Sequence, residues 1–94
     1  LWTSTNGKTG IENAYGHWIK HGKEFPEFQT AMQYVRAARA FVTNPPAGVL
    51  TKVRANGDRS FYDTVTNTFL SQRSDGAIRT MFRPINGINY WNLQ

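Results

Sequence analysis

The 94-residue chain has the length of one compact domain, and its 39% hydrophobic residues suffice for a core, which excludes an intrinsically disordered protein. Eleven Lys and Arg against six Asp and Glu give a net charge of +5, which favours nucleic acid, an anionic membrane or an acidic protein as partner. The lack of cysteine excludes disulfides and thiolate metal sites, and no apolar run approaches the ~18 residues of a membrane span.

The chain starts with a polar, glycine-bearing stretch, residues 1–10, which we predict to be a loop or a frayed arm. Because there is no initiator Met, we expect the single domain of residues 1–94 to be a piece of a longer protein. Residues 11–21 are predicted to form a helix that stops at Gly22. The predicted buried stripe of this helix consists of Ile11, Ala14, Tyr15, Trp18 and Ile19.

A second helix is predicted over residues 26–42, with Pro26 at its first position and Asn44-Pro45-Pro46 after its end. Apolar residues again recur at helical spacing, and this face should cover the core. The predicted stripe consists of Phe28, Met32, Val35, Ala38, and Phe41 or Val42.

From Gly48 onward the apolar residues alternate with polar ones, which is typical of strands. Asn56-Gly57 and Asp75-Gly76 are strong signals for hairpin turns. Strands are predicted at residues 49–54, 59–63, 68–72 and 77–83, with a possible fifth at 88–92. The pattern predicts an α+β domain with two N-terminal helices packed on a four- to five-stranded antiparallel sheet, whose other face could stay open to solvent or a ligand.

The only two histidines, His17 and His21, lie four residues apart at the end of the first predicted helix, and Lys20 precedes His21. Zinc sites also use this spacing, but zinc needs a third ligand. The chain offers no third His, no Cys and six scattered carboxylates, so we expect no metal and no cofactor. For His21, at the edge of the predicted stripe, we favour a functional role. For His17, a functional role and simple packing or capping stay equally open.

Histidine titrates near neutral pH, so the pair is suited to proton transfer in RNA cleavage. Cleavage without a metal needs a base for the 2′-hydroxyl proton, an acid for the leaving 5′ oxygen, and donors around the phosphorane between them. Lysine, arginine and hydroxyl groups suit the phosphate oxygens. The requirement for a 2′-hydroxyl would restrict this chemistry to RNA.

The fourth predicted strand offers a second group of candidates. Alternation places Ile78, Thr80 and Phe82 on one face, with Arg79, Met81 and Arg83 on the other. Thr80 could donate to a phosphate and Phe82 could stack on a base. Both are also ordinary strand residues, Phe82 suits a core position, and the arginines could simply line a solvated strand.

Further candidates flank the sheet. Lys52, Arg54 and Arg59 surround the first hairpin turn, where they could follow a phosphate backbone or discourage pairing of sheet edges. Tyr90 and Trp91 suit closure of the core, and Tyr90 could also offer its hydroxyl to the site.

Three stretches, residues 17–26, 62–69 and 75–84, followed by Tyr90, resemble the C-terminal toxin domains of bacterial polymorphic toxins. Such domains end contact-dependent growth inhibition proteins and related filamentous haemagglutinin-like or Rhs effectors. They belong to the barnase–colicin–RelE-like ribonuclease superfamily, within which the chain resembles the colicin D nuclease. The resemblance covers roughly residues 12–91 and depends on the order and spacing of the three stretches.

The resemblance implies a metal-independent ribonuclease acting on tRNA. It also implies that the domain is the C-terminal part of a secreted or cell-surface effector that acts in the target-cell cytoplasm. Lys20-His21 matches the Lys-His pair of the colicin D type, in which the histidine is catalytic, while Thr80 matches a hydroxyl residue and Phe82 an aromatic one. Where that type has a second basic residue before the pair, this chain has Trp18, so phosphate binding would come from elsewhere, such as Arg54 or Arg79.

The expected function is therefore that of a toxin endoribonuclease, monomeric except in a heterodimer with an acidic cognate immunity protein that neutralises it. A non-catalytic basic RNA-binding module and a protein-interaction domain for an acidic partner remain alternatives. The expected catalytic residues are His21, Lys20, Thr80 and His17, and the expected substrate-binding residues are Arg54, Arg79, Phe82 and Tyr90.

Overall fold

The computed structural model describes residues 2–5 and 7–94. It is an α+β fold with an open four-stranded antiparallel sheet in the order β1-β2-β3-β4, as predicted. Within the described residues, no helix combines the length and apolar character that crossing a membrane requires. The elements are α1 (Gly10–His21), a 3₁₀ helix (Gly22–Glu24), α2 (Ala31–Thr43), β1 (Leu50–Val53), β2 (Arg59–Asp63), β3 (Thr68–Gln72), β4 (Ile78–Phe82) and α3 (Ile88–Asn92).

The four strands lie where the alternation and the turn signals predict them, within one residue at each end. Gly57 and Gly76 occupy the two hairpin turns with φ of +89° and +95°, a left-handed conformation that glycine adopts without a steric cost. The turns therefore set the pairing of neighbouring strands.

One face of the sheet forms the main core with α1 and α2. The opposite face carries two cross-strand rows, which run toward β4. We call Ser60, Ser71 and Thr80 the polar row, and Tyr62, Phe69 and Phe82 the aromatic row. The buried residues of the main core include Ala14, Tyr34, Ala38, Phe41, Phe61, Leu70, Ile78 and Met81.

The possible fifth strand is absent, because residues 88–92 form the short helix α3. Trp91 stacks on Tyr62 with 6.0 Å between ring centroids, and Tyr90 meets Phe69 edge-on at 5.1 Å. A strand would send these consecutive side chains to opposite faces, whereas one helical turn lets both pack on the aromatic row.

The buried face of α1 differs from the predicted stripe. Ile11, Tyr15 and Ile19 are exposed, at 83%, 56% and 66%, and of the predicted stripe only Ala14 is buried and Trp18 half-buried. The two histidines are half-buried instead. The helix is therefore rotated so that its histidines, and not its aliphatic residues, face the sheet.

The second helix begins at Ala31 rather than at Pro26, because the Thr30 hydroxyl caps it by accepting a hydrogen bond from the amide of Gln33. Its buried residues are Tyr34, Ala38 and Phe41. Of the predicted stripe, Ala38 and Phe41 are buried and Phe28, Val35 and Val42 pack partly against the core, whereas Met32 is 58% exposed.

A bulge changes the alternation in β4. The register between β3 and β4 shifts, so that Arg79 is an extra residue between Ile78 and Thr80. Ile78 is consequently buried in the main core together with Met81, each only 1% exposed. Thr80 and Phe82 do share the opposite face, but the prediction that Ile78 lies with them is wrong.

The start of the chain lies against β4. Trp2 forms a parallel bridge with Ile78, and the Thr3 amide donates to the Ile78 carbonyl at 2.8 Å. Trp2 and Thr3 are 7% and 8% exposed, so this part of residues 1–10 is packed rather than a free arm. A side chain at Gly10 would place its Cβ 2.6 Å from the Trp2 carbonyl oxygen, so glycine permits this approach.

Candidate active site

The structure brings both histidines against β4, beside Thr80 and Phe82. The rings of His17 and His21 are stacked, with 5.9 Å between centroids and 15° between planes. On its other side, His21 stacks on Phe82 at 5.4 Å and 26°. Helical spacing places the two histidines one turn apart. Thr80 and Phe82 alternate on one face of β4, so each meets one of the histidines.

His17 is held by contacts from two other segments. Its Nδ1 is hydrogen-bonded to the Thr80 Oγ1 at 3.2 Å, and its ring packs 5.2 Å from that of Trp2. Burial lowers the pKa of His17 below its ordinary value of 6.5, and the nearby His21 and Lys20 lower the pKa further. His17 is therefore neutral at neutral pH.

His21 is held by an acidic residue that the sequence analysis did not single out. Its Nδ1 lies 2.9 Å from the Glu24 Oε2, and its side chain is 14% exposed. The other oxygen of Glu24 accepts a hydrogen bond from the Arg83 amide at 2.8 Å. The spacing His21-x-x-Glu24 could have indicated this pair, because a continued helical turn brings residues three apart together.

Lys20 precedes His21 on α1 and is exposed. Within the described part of the chain it forms no salt bridge. Its ammonium is thus available to an anion beside the histidine pair, and its charge already depresses the pKa of His17.

Tyr90 closes the other end of the cluster. Its ring contacts the Phe82 ring edge-on at 5.3 Å, and its hydroxyl has no hydrogen-bond partner among the described residues. The contacts from His17 through His21 and Phe82 to Tyr90 form an uninterrupted row of rings, which we call the ring cluster.

The arginines predicted to bind substrate lie outside the ring cluster. Arg79 pairs with the Asp58 carboxylate at 3.2 Å, and the Arg54 guanidinium lies 3.4 Å from the Gln94 side-chain oxygen. Both arginines lie at the end of the sheet that carries the turns with Gly57 and Gly76. Neither contacts a histidine, although both remain exposed.

Two other basic residues serve the fold. Arg83 forms two hydrogen bonds to the Glu27 carboxylate, at 2.9 and 2.5 Å, and its guanidinium packs over the Phe25 ring at 4.3 Å. Lys52 donates to the carbonyl of Trp91 in the last turn of α3, at 2.8 Å, and to that of Gln94, at 3.1 Å. Lys52 therefore anchors the C-terminal segment.

The arrangement is suited to proton transfer without a metal. Among residues 2–5 and 7–94, no group of three or more His, Cys, Asp or Glu side chains is placed to hold a metal ion. Each histidine has its Nδ1 held by a neighbour, while its Nε2 has no partner within the same residues. Two Nε2 atoms on stacked rings can therefore act on one small substrate group, one as a base and the other as an acid.

No protein-family model matches this sequence, and no curated protein is significantly similar to it.

Proposed function

We propose that this protein is a metal-independent endoribonuclease in which His17 and His21 transfer the protons. The observation that carries the proposal is the stacked pair itself, with 5.9 Å between ring centroids and with each Nδ1 held by a different neighbour, Thr80 or Glu24. Two oriented imidazoles at this separation can reach the attacking and the leaving oxygen of one phosphorus atom.

In the proposed reaction, one histidine removes the proton of the 2′-hydroxyl as this oxygen attacks the adjacent phosphorus. The bond from phosphorus to the 5′ oxygen breaks, and the other histidine protonates that oxygen. The products are a 2′,3′-cyclic phosphate and a 5′-hydroxyl. DNA is not a substrate, because it has no 2′-hydroxyl.

The neighbouring residues have distinct roles in this proposal. Lys20 binds the phosphate oxygens and stabilises the charge that develops on the phosphorane. Thr80 orients His17 through its hydrogen bond. Phe82 and Tyr90 form an aromatic surface beside His21 on which a base adjoining the cleaved bond stacks.

A longer RNA would continue along the sheet toward Arg79 and Arg54, whose exposed guanidinium groups follow its phosphates away from the ring cluster. The resemblance to polymorphic toxins supports tRNA as the substrate and growth inhibition of competing bacteria as the biological role. In that role the domain is the C-terminal part of a secreted or cell-surface effector and acts in the cytoplasm of the target cell. It also supports neutralisation by an acidic cognate immunity protein, which the net charge of +5 would attract.

The test is incubation of the purified protein with total RNA, followed by sequencing of the RNA ends. We expect discrete cuts, mainly in tRNA, and a loss of roughly 10²–10⁴-fold in rate for His21→Ala and for His17→Ala. Melting temperatures of both variants separate lost chemistry from lost folding. Retention of RNA without cleavage would instead identify a binding module. A protein that neither cleaves nor retains RNA would be a protein-interaction domain.

A further inference from the structure

We propose that Glu24 is a positioning residue that makes His21 the proton donor of the pair and leaves His17 as the proton acceptor. This inference rests on the proposed ribonuclease function and assigns the two roles that the stacked geometry alone leaves interchangeable. It follows from the unequal surroundings of two otherwise similar imidazoles.

The Glu24 carboxylate contacts only one of the two rings. Its Oε2 lies 2.9 Å from the Nδ1 of His21, and an ionised carboxylate can only accept, so this nitrogen carries a proton. The hydrogen bond thereby leaves the His21 Nε2 as the ring nitrogen that can exchange a proton with a substrate. Neutral His17 has no such constraint, because the Thr80 hydroxyl at 3.2 Å can either donate or accept.

Glu24 is itself fixed in place. Its Oε1 accepts a hydrogen bond of 2.8 Å from the Arg83 amide. This bond connects the 3₁₀ helix to the residue that follows β4. The Arg83 side chain donates to the Glu24 carbonyl at 3.0 Å, so the same residue holds both ends of Glu24. A carboxylate with so little freedom can keep the His21 ring in one orientation.

The charges around the pair favour one protonation state. Stacked imidazoles repel each other when both are charged, so the pair favours states in which at most one ring carries a charge. Glu24 on the 3₁₀ helix offers a counter-charge to His21. His17 faces Thr80 from β4, Trp2 from the N-terminal segment and Lys20 from its own helix, none of them acidic. The Arg83 guanidinium is paired with Glu27.

With these roles, every proton in the reaction has a donor and an acceptor. Neutral His17 takes the 2′-hydroxyl proton, the 2′ oxygen forms its bond to phosphorus, and the bond to the 5′ oxygen breaks as His21 gives its Nε2 proton to that oxygen. At the end His17 is charged and His21 neutral. Exchange of one proton with water at each histidine restores the starting state.

A leaving group that needs no proton distinguishes the two roles. We would first map the bond that the wild-type protein cuts, and then compare that RNA with one carrying sulfur in place of the bridging 5′ oxygen. The thiolate leaves without protonation, so loss of the acid no longer matters, whereas loss of the base still does. The variants are Glu24→Gln, His21→Asn and His17→Asn.

For the oxygen substrate, we expect Glu24→Gln to lower kcat by more than about 10-fold, but by less than the ~10²–10⁴-fold expected for His21→Asn. Glutamine keeps the shape and can still accept from the Arg83 amide, but its NH2 group then faces the Nδ1 of His21 and favours the opposite tautomer. On the sulfur substrate, Glu24→Gln and His21→Asn should both approach the wild-type rate, while His17→Asn stays slow.

Equal losses on both substrates for Glu24→Gln would overturn the positioning role, and rescue of His17→Asn instead of His21→Asn would reverse the assignment. If Glu24→Gln lowers the melting temperature so far that it is unfolded in the assay, His21→Asn still tests the assignment, and Glu24→Asp then tests for a carboxylate. Failure of the wild-type protein to cut the oxygen substrate would reject the ribonuclease function itself.

Discussion

Thr80 and His17 are joined by a hydrogen bond of 3.2 Å between Oγ1 and Nδ1, although 63 residues separate them in the sequence. This contact connects the edge of the sheet to the helix that carries both histidines. It also gives Thr80 a role that the strand pattern did not indicate, because the hydroxyl holds an imidazole.

Replacement of Thr80 by Val should lower kcat by roughly 10-fold, because His17 loses its orienting partner while the β-branched shape is kept. The melting temperature should change little, because Thr80 is only half-buried. Steady-state cleavage and thermal unfolding provide the measurements. Thr51→Val, the same change on the exposed edge strand β1, serves as control and should have no effect on kcat. Unchanged kcat in Thr80→Val would assign the hydroxyl to the sheet alone.

Stability should depend on pH through His17. Its pKa is lowered in the folded state by burial and by His21 and Lys20, so below the ordinary value of 6.5 the unfolded chain takes up a proton that the folded protein does not. The free energy of unfolding should therefore decrease as pH falls from about 6.5 through the folded-state pKa, and level off below it. Urea denaturation at a series of pH values measures this effect.

The matched variant for that experiment is His17→Gln, which retains a polar side chain but does not titrate. Its free energy of unfolding should decrease less than that of the wild type over the same pH interval. Parallel pH curves for the two proteins would show that His17 does not contribute to the acid sensitivity.

Cleavage should continue in excess EDTA, since proton transfer by two histidines requires no metal ion. The 5′ fragment should end in a 2′,3′-cyclic phosphate or its opened form, and the 3′ fragment should begin with a 5′-hydroxyl. Mass spectrometry of the fragments identifies both ends. A 5′-phosphate, or activity that chelation abolishes and Mg²⁺ restores, would exclude the proposed chemistry.

An inhibitory immunity protein should be acidic and should cover the ring cluster, beside which Lys20 offers a positive charge that forms no salt bridge within residues 2–5 and 7–94. Its association rate should fall steeply with added salt, because charge steering is screened over about 10 Å at 0.1 M ionic strength. Stopped-flow association at several salt concentrations, with Lys20→Ala for comparison, tests the steering. Hydrogen-exchange protection confined to a surface remote from His17 and His21 would contradict coverage of the site.

Arg83 should matter for stability more than for RNA affinity. Its guanidinium is bound by Glu27 and packs on Phe25, and its side chain is 18% exposed. Arg83→Met should cost about 1–3 kcal/mol of unfolding free energy through the lost charged hydrogen bonds. Arg73→Met removes a similar but solvent-exposed pair with Asp75, so its cost should be smaller. Equal losses would show that the partial burial of Arg83 contributes nothing.

Local patterns in the sequence were sufficient to place the four strands. Asn56-Gly57 and Asp75-Gly76 require a left-handed glycine, and alternation between the turns then sets the strands, so their bounds follow from neighbouring residues alone. The histidine pair was also visible, because two residues four apart on a helix are neighbours whatever that helix packs against.

Tertiary packing decided the remaining features, because they depend on contacts between distant segments. The aliphatic residues of α1 predicted the wrong buried face, since the helix turns its histidines toward Thr80 and Phe82. Residues 88–92 became a helix because both Tyr90 and Trp91 pack on the aromatic row.

In the candidate site, too, some features follow from the local sequence and others from tertiary contacts. The sequence by itself determined that His17 and His21 are adjacent, that Lys20 accompanies them and that the domain is basic. Only the folded chain decided which neighbour holds each ring, because the Thr80–His17 hydrogen bond and the tie between Glu24 and the Arg83 amide join segments far apart in the sequence. Hydrogen bonds of this kind depend on the relative placement of whole elements, which no local pattern encodes.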